Sequence, residues 1–239
     1  MTRVVISQPM YFPWVGFLAQ MALADVMIWL DDAQFSKGSF TNRVQVPRAI
    51  DQPTWMSIPL EGKGRNTRIC DLKPANDAWR NSHLALLSNT YRQEPFGQDA
   101  LNLATDALSH STLCDVMIAS CQTEARAVGV SPPDTYLSSE MNVAATGSNR
   151  VLELVKAVSG TEYVTGHGAR NYLDHNAFEA EGLTVSYMAY NPLPWHQINP
   201  EFTPFVTGLD LIAAIEPDKR YDHLNPDTVT WRSFLGTKG

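Results

Sequence analysis

Two short apolar runs, separated by one helix's length of chain, open the sequence and constrain the fold more than anything after them. Val4-Val5-Ile6 predicts a buried strand, stopped at Gln8-Pro9 because proline disfavours helix in the residue before it. Between Val15 and Ala24, apolar residues recur at helical spacing (Val15, Leu18, Met21, Ala22). Asp25 breaks that pattern, and Val26 to Leu30 is again strand-like. Two strands joined by a single helix form a βαβ unit, whose strands run parallel.

The alternation is interrupted and then resumes. Val44-Gln45-Val46 and Trp55 to Pro59 read as strands with proline punctuation, and Glu61 to Asn66 as a flexible polar loop carrying Lys63 and Arg65. From residue 78 to about 128 there are three helical stretches and no strand: about 78–91, 97–109 and 112–128. Strands return at Thr135-Tyr136-Leu137, Glu162-Tyr163-Val164 and Leu183 to Met188. Helices are expected at Asn149 to Val158, Asp174 to Glu181 and Leu209 to Ile215, and the tail from Asn225 carries weak signals. The pattern predicts one α/β domain over 1–239, with a parallel-rich, Rossmann-like sheet core and a helical insertion at about 78–128.

Composition enters as a filter. With 239 residues, 44% hydrophobic and 10% aromatic, the chain can bury a sizeable core and does not read as disordered. A net charge of -7 argues against bulk nucleic-acid binding but leaves room for a local basic pocket. No apolar run reaches the roughly 18 residues of a membrane span, and the amino terminus has no signal-peptide pattern. Three cysteines (Cys70, Cys114, Cys121) make no disulfide framework, so a cytoplasmic location is expected. Cys114 and Cys121 share a helix face and read as core. The six histidines and three cysteines show no metal-ligand spacing, so no metal is expected.

Candidate chemistry gathers where strands should end, because open parallel sheets bind ligands beyond the carboxyl ends of their strands. Gln8 and Tyr11 can donate and accept hydrogen bonds there, and Tyr11 and Trp14 offer flat faces; the same segment could simply pack the first helix. Asp31 and Asp32 follow the second strand, placed to bind a hard cation, orient an amine or take a proton, or else to form a turn. Lys37, Asn42 and Arg43 supply donors suited to phosphate or carboxylate, although Arg43 also fits a solvated strand position. Ser148 and Arg150 lie at a helix start that suits an anion and equally suits an ordinary cap. Gly166 and Gly168 flank His167 at a further strand exit, where backbone can approach a ligand and an imidazole can move a proton. Neither a nucleophile elbow nor a Gly-x-Gly-x-x-Gly loop is present. No cofactor is named by these residues.

Several blocks together resemble the WbqC-like family of bacterial proteins. They are Ile6 to Phe17, Asp25 to Lys37 with Asn42-Arg43, Gly147 to Arg150, Tyr163 to Gly168 with Tyr172-Leu173, and Pro204 to Asp210. The closing block departs from the family's Leu-Ser-Ile-Ile-Asp, reading Val206 to Asp210 here, and His167 stands where a small or variable residue is expected. The resemblance implies an enzyme of surface-glycan (O-antigen) or secondary-metabolite biosynthesis that transfers a glycyl, other aminoacyl or acyl group to the amine of an amino sugar. Its partner would be a small-molecule substrate, such as a nucleotide-linked amino sugar. In that reading Asp31, Asp32 or His167 handles the proton, while Gln8, Tyr11, Trp14, Lys37, Asn42, Arg43, Ser148, Arg150, Gly166, Gly168 and Tyr172 bind substrate. A nucleotide-binding transferase or ligase, and a non-catalytic sugar-nucleotide binding module, are the alternatives.

Overall fold

A computed structural model describes residues 1–50, 52–191 and 193–236. Strand β1 (Arg3–Ser7), helix α1 (Val15–Ala22) and strand β2 (Val26–Trp29) form the opening unit, with β1 and β2 parallel and Val5 opposite Met27. Just before β2, the Asp25 carboxylate accepts the Arg3 backbone N–H at 2.7 Å and so ties the end of the helix–strand turn to the start of β1. A hairpin follows, β3 (Arg43–Val46) antiparallel to β4 (Thr54–Ser57), as a two-stranded sheet of its own. The Glu61 to Gly64 segment is a tight 3₁₀ turn.

Three helices come next: α2 (Ala78–Tyr91), α3 (Gly97–Leu108) and α4 (Leu113–Ala127). The last begins at Thr112, whose hydroxyl oxygen accepts the Asp115 N–H at 3.1 Å and satisfies one open donor of the first turn. Alternation then resumes with β5 (Asp134–Leu137), α5 (Gly147–Ala157), β6 (Glu162–Thr165), α6 (His175–Ala180), β7 (Thr184–Met188) and α7 (Leu209–Ala214). The weakly patterned tail forms β8 (Thr228–Thr230) and α8 (Trp231–Gly236).

The main sheet has the order β5-β2-β1-β6-β7-β8, parallel throughout except for β8, which runs antiparallel to β7. Numbered within the sheet alone, this is the 3-2-1-4-5-6 order of Rossmann-like folds. Both faces are covered, so the central strand is apolar at every interior position. Val5 packs with α1 and with the helices of the insertion, and Val4 and Ile6 with α5 and α6. At Gly160 an added Cβ would lie 2.4 Å from the Val4 side chain, so only glycine allows the turn after α5 to close on the sheet. Cys114 and Cys121 are buried on α4, and burial pushes the Cys114 thiol up to about 12. No helix among the described residues is long and apolar enough to cross a membrane.

Candidate functional site

Because β2, β1 and β6 are parallel neighbours, the loops leaving them share one rim. The strand order reverses between β1 and β6, where doubly wound sheets open a crevice. Asp31 follows β2, Gln8 follows β1 and His167 follows β6.

At the β2 exit the polar groups face one another. Asp31 is 2% exposed. Its Oδ1 accepts the Ser139 N–H at 3.0 Å, its Oδ2 accepts the Ser139 hydroxyl at 2.6 Å, and the Ser138 hydroxyl lies 3.2 Å from Oδ1. That same Ser138 hydroxyl is 2.5 Å from Asp32 Oδ1, and Arg150 Nη2 donates to Asp32 Oδ2 at 2.5 Å. Burial works against the Asp32 carboxylate, but the hydrogen bonds from Arg150 and Ser138 outweigh it and hold the group below its ordinary value. The two aspartates thus bolt β2 to the loop after β5 and to the first turn of α5. An open cavity of about 300 Å³ lies against Asp32, Ser138, Ser139, Asn142 and Arg150. Ser148 is occupied by its neighbour too, its hydroxyl oxygen accepting the Asp174 N–H at 2.8 Å. Among the described residues, no group of three or more His, Cys, Asp or Glu side chains is placed to hold a metal ion.

The β6 exit is built differently. His167 is exposed and makes a 2.8 Å hydrogen bond between Nε2 and the Met188 carbonyl, just past β7. A carbonyl only accepts, so a neutral imidazole carries its proton on Nε2 and keeps the Nδ1 lone pair. The ring lies 4.8 Å from that of Phe234, and among the described residues Nδ1 makes no hydrogen bond. A side chain added at Gly166 or Gly168 would meet open space, so the backbone on both sides of His167 is approachable. Nearby, Trp14 meets Tyr190 at 5.4 Å between ring centroids and Phe205 at 5.7 Å, and Phe205 is 51% exposed. Tyr172 is exposed, just after the short turn that carries His167.

The β1 exit loop points partly inward. Tyr11 is fully buried, with its hydroxyl 2.8 Å from His83 Nδ1 on α2. Burial pushes His83 down to about 4, against the opposing pull of the Ser57 carbonyl, so the imidazole is neutral at pH 7. Tyr11 therefore ties the insertion to the sheet. Phe12 beside it has a left-handed backbone (φ 45°), held by its buried ring and by the Ser120 hydroxyl, which accepts its N–H at 3.0 Å. Gln8 is half-buried, with Oε1 3.5 Å from the Thr41 hydroxyl. Lys37, Asn42 and Arg43 gather at a separate cavity beside the β3–β4 hairpin.

Sequence reasoning missed Ser138, Ser139, Tyr190 and Phe205. The first two follow a strand whose position the sequence does reveal, so the strand-exit rule that singled out Asp31 also applies to them. No spacing signal links Tyr190 or Phe205 to Trp14.

The model of the WbqC-like protein family matches residues 8–221. An uncharacterized protein of Mycobacterium tuberculosis is 28% identical over 228 residues, covering 91% of this chain and 97% of its own length. No solved structure matches the chain significantly.

Proposed function

The chain belongs to the WbqC-like protein family, and from that premise we propose that it is an enzyme transferring an aminoacyl (glycyl) or other acyl group to the amine of an amino sugar or similar acceptor, in surface-glycan or secondary-metabolite biosynthesis. The observation that supports this reading is the His167 imidazole at the strand-order reversal, its tautomer set by the Met188 carbonyl and its Nδ1 without a hydrogen bond among the described residues.

Amine acylation needs a neutral nucleophile and a destination for one proton. The acceptor nitrogen attacks the acyl carbon, the new C–N bond forms, and the bond from that carbon to its carrier breaks with the electron pair leaving on the carrier. The nitrogen's proton passes to His167 Nδ1. Trp14, Tyr190 and Phe205 give an aromatic wall suited to the apolar face of a sugar ring, and Gly166 and Gly168 let it come close to the backbone. Asp31 and Asp32 in this reading shape the pocket edge, since their oxygens already serve internal donors.

The test is incubation with activated glycyl donors and a panel of nucleotide-linked amino sugars, followed by mass spectrometry of the products. An acylated amine that forms with the wild-type chain and not with His167→Gln is the expected result. Acceptor binding without product for any donor overturns it in favour of a binding module.

A further inference from the structure

The hairpin cavity joins features that the transfer chemistry does not use. It has a volume of about 370 Å³, and its walls include Lys37, Asn42, Arg43, Ser57 and Lys63 over the ring of Phe35. The chain as a whole carries 25 acidic residues against 18 basic ones, yet no carboxylate lines this cavity. Nor, among the described residues, is any of its three cations ion-paired.

The local structure fixes the Arg43 guanidinium and the turn that carries Lys63. Arg43 and Ser57 are directly paired across the antiparallel hairpin, so they project from the same face. The Arg43 guanidinium lies 4.1 Å from the centroid of the Trp55 ring, and its Nη2 donates to the Gly38 carbonyl at 2.6 Å. Asn42 is oriented by its own donation to the Ile58 carbonyl at 2.9 Å. Lys63 sits between Gly62 and Gly64, all three with left-handed backbones (φ 55°, 60° and 65°). The turn is pressed onto the cavity floor, for an added Cβ at Gly64 would fall 2.7 Å from the Phe35 ring.

Three convergent cations without counter-ions, in a chain of net charge -7, match a ligand bearing at least two negative charges. We propose that this cavity is a binding site for the phosphoryl groups of a diphosphate-bearing ligand. Arg43 and Asn42 form its fixed wall, and Lys37 and Lys63 close on the anion from the two flanking loops. The Lys37 loop is tied to the β1 exit, with the Tyr11 N–H donating to the Phe40 carbonyl at 3.1 Å, so the anion site and the rim share one connected segment. The transfer reading has Lys37, Asn42 and Arg43 bind a nucleotide-linked substrate, so this site deepens it; anion binding needs no turnover and is therefore tested separately.

Calorimetric titration of the full chain with inorganic phosphate, inorganic diphosphate, uridine diphosphate and citrate tests it, with Lys37→Ala, Lys63→Ala and the double variant alongside. Both lysines are exposed, so these variants keep the fold, and a thermal melt verifies that. Diphosphate should bind more tightly than phosphate or citrate, and each lysine variant should weaken it by about tenfold, the scale of one charge-assisted contact. Raising the salt concentration should weaken it further. Equal affinity for diphosphate and uridine diphosphate identifies the phosphoryl groups as the whole of what is recognised, and tighter uridine diphosphate adds a nucleoside to the ligand. Absence of binding by both diphosphates, citrate binding as tightly as diphosphate, or affinity unchanged in the double variant overturns the proposal. His167→Gln should leave diphosphate affinity unchanged, so failure of the transfer reading and failure of this one are told apart.

Discussion

At the β2 exit, Asp31 commits both carboxylate oxygens to serine donors inside the protein, and Asp32 is paired with Arg150. At the β6 exit, His167 makes one hydrogen bond, through Nε2, and among the described residues its other ring nitrogen makes none. The two corners lie on the same rim, and both carry residues able to take a proton. What separates them is hydrogen-bonding capacity left over after folding. A carboxylate whose oxygens are already taken by internal donors has little left to offer a substrate proton, whereas an imidazole bonded through one nitrogen keeps the lone pair of the other. Position at a strand end identifies a rim; unused capacity identifies the group that can act on it.

The largest expected effect separates the corners outright. His167→Ala should lower turnover by about 10² to 10⁴, the usual contribution of a general base. Its melting temperature should stay near wild type, since an exposed side chain changes stability by only about 0.5 kcal/mol. His167→Gln, which can still donate to the Met188 carbonyl, should lose as much activity as the alanine variant. Glutamine rescue would reduce His167 to a positioning residue and break the comparison.

Asp31→Asn should do the reverse. The amide places a donor against the Ser139 hydroxyl or N–H, and an unmatched buried polar contact costs about 1–3 kcal/mol. For a chain of this size, each kcal/mol lowers the melting temperature by roughly 2–4 °C. Thermal melts should therefore show a clear drop, while turnover measured well below the transition changes little. Lost turnover with an unshifted melt would make Asp31 the proton acceptor.

The elements themselves are legible in the sequence to within a residue or two. Val4 to Ile6 and Val26 to Trp29 are continuous apolar runs because both strands are covered on two faces, and α3 buries Ala100, Ala104, Ala107 and Leu108 at helical spacing. The β8 strand is only three residues long and pairs as an edge, too short for any period to register. Side-chain destinations are harder to read, because they depend on partners distant in the chain. Tyr11 looks like a ligand contact until His83, 72 residues later on the buried face of α2, meets its hydroxyl at 2.8 Å. Asp31 looks like a base until Ser139, 108 residues later, closes over it. His167 is read with fewer surprises because its surroundings, two glycines and a strand end, are local.

The smallest effect probes the Asp32–Arg150 pair, which decides whether the β2 corner is an anchor held by charge. The two side chains are 15% and 23% exposed, which places the pair between a solvated surface bridge and a buried one. Asp32→Asn should therefore cost on the order of 1 kcal/mol at pH 7. The pH dependence has a definite sign. Arg150 and Ser138 hold Asp32 below its ordinary value of 3.8 in the folded chain, so the unfolded chain takes up the proton first as the solution is acidified. The stabilisation is thus complete above about pH 5 and is lost as the pH falls below 4 towards the folded-state value. Melting curves of wild type and Asp32→Asn should lie apart at neutral pH and converge in that acidic window. Added salt should narrow the neutral-pH gap only in part, since partial burial shields the pair from mobile ions. Curves that stay equally separated at all pH values would mean that Asp32 contributes through shape and neutral hydrogen bonding, and the β2 corner would then be held by the Asp31–Ser139 contacts alone.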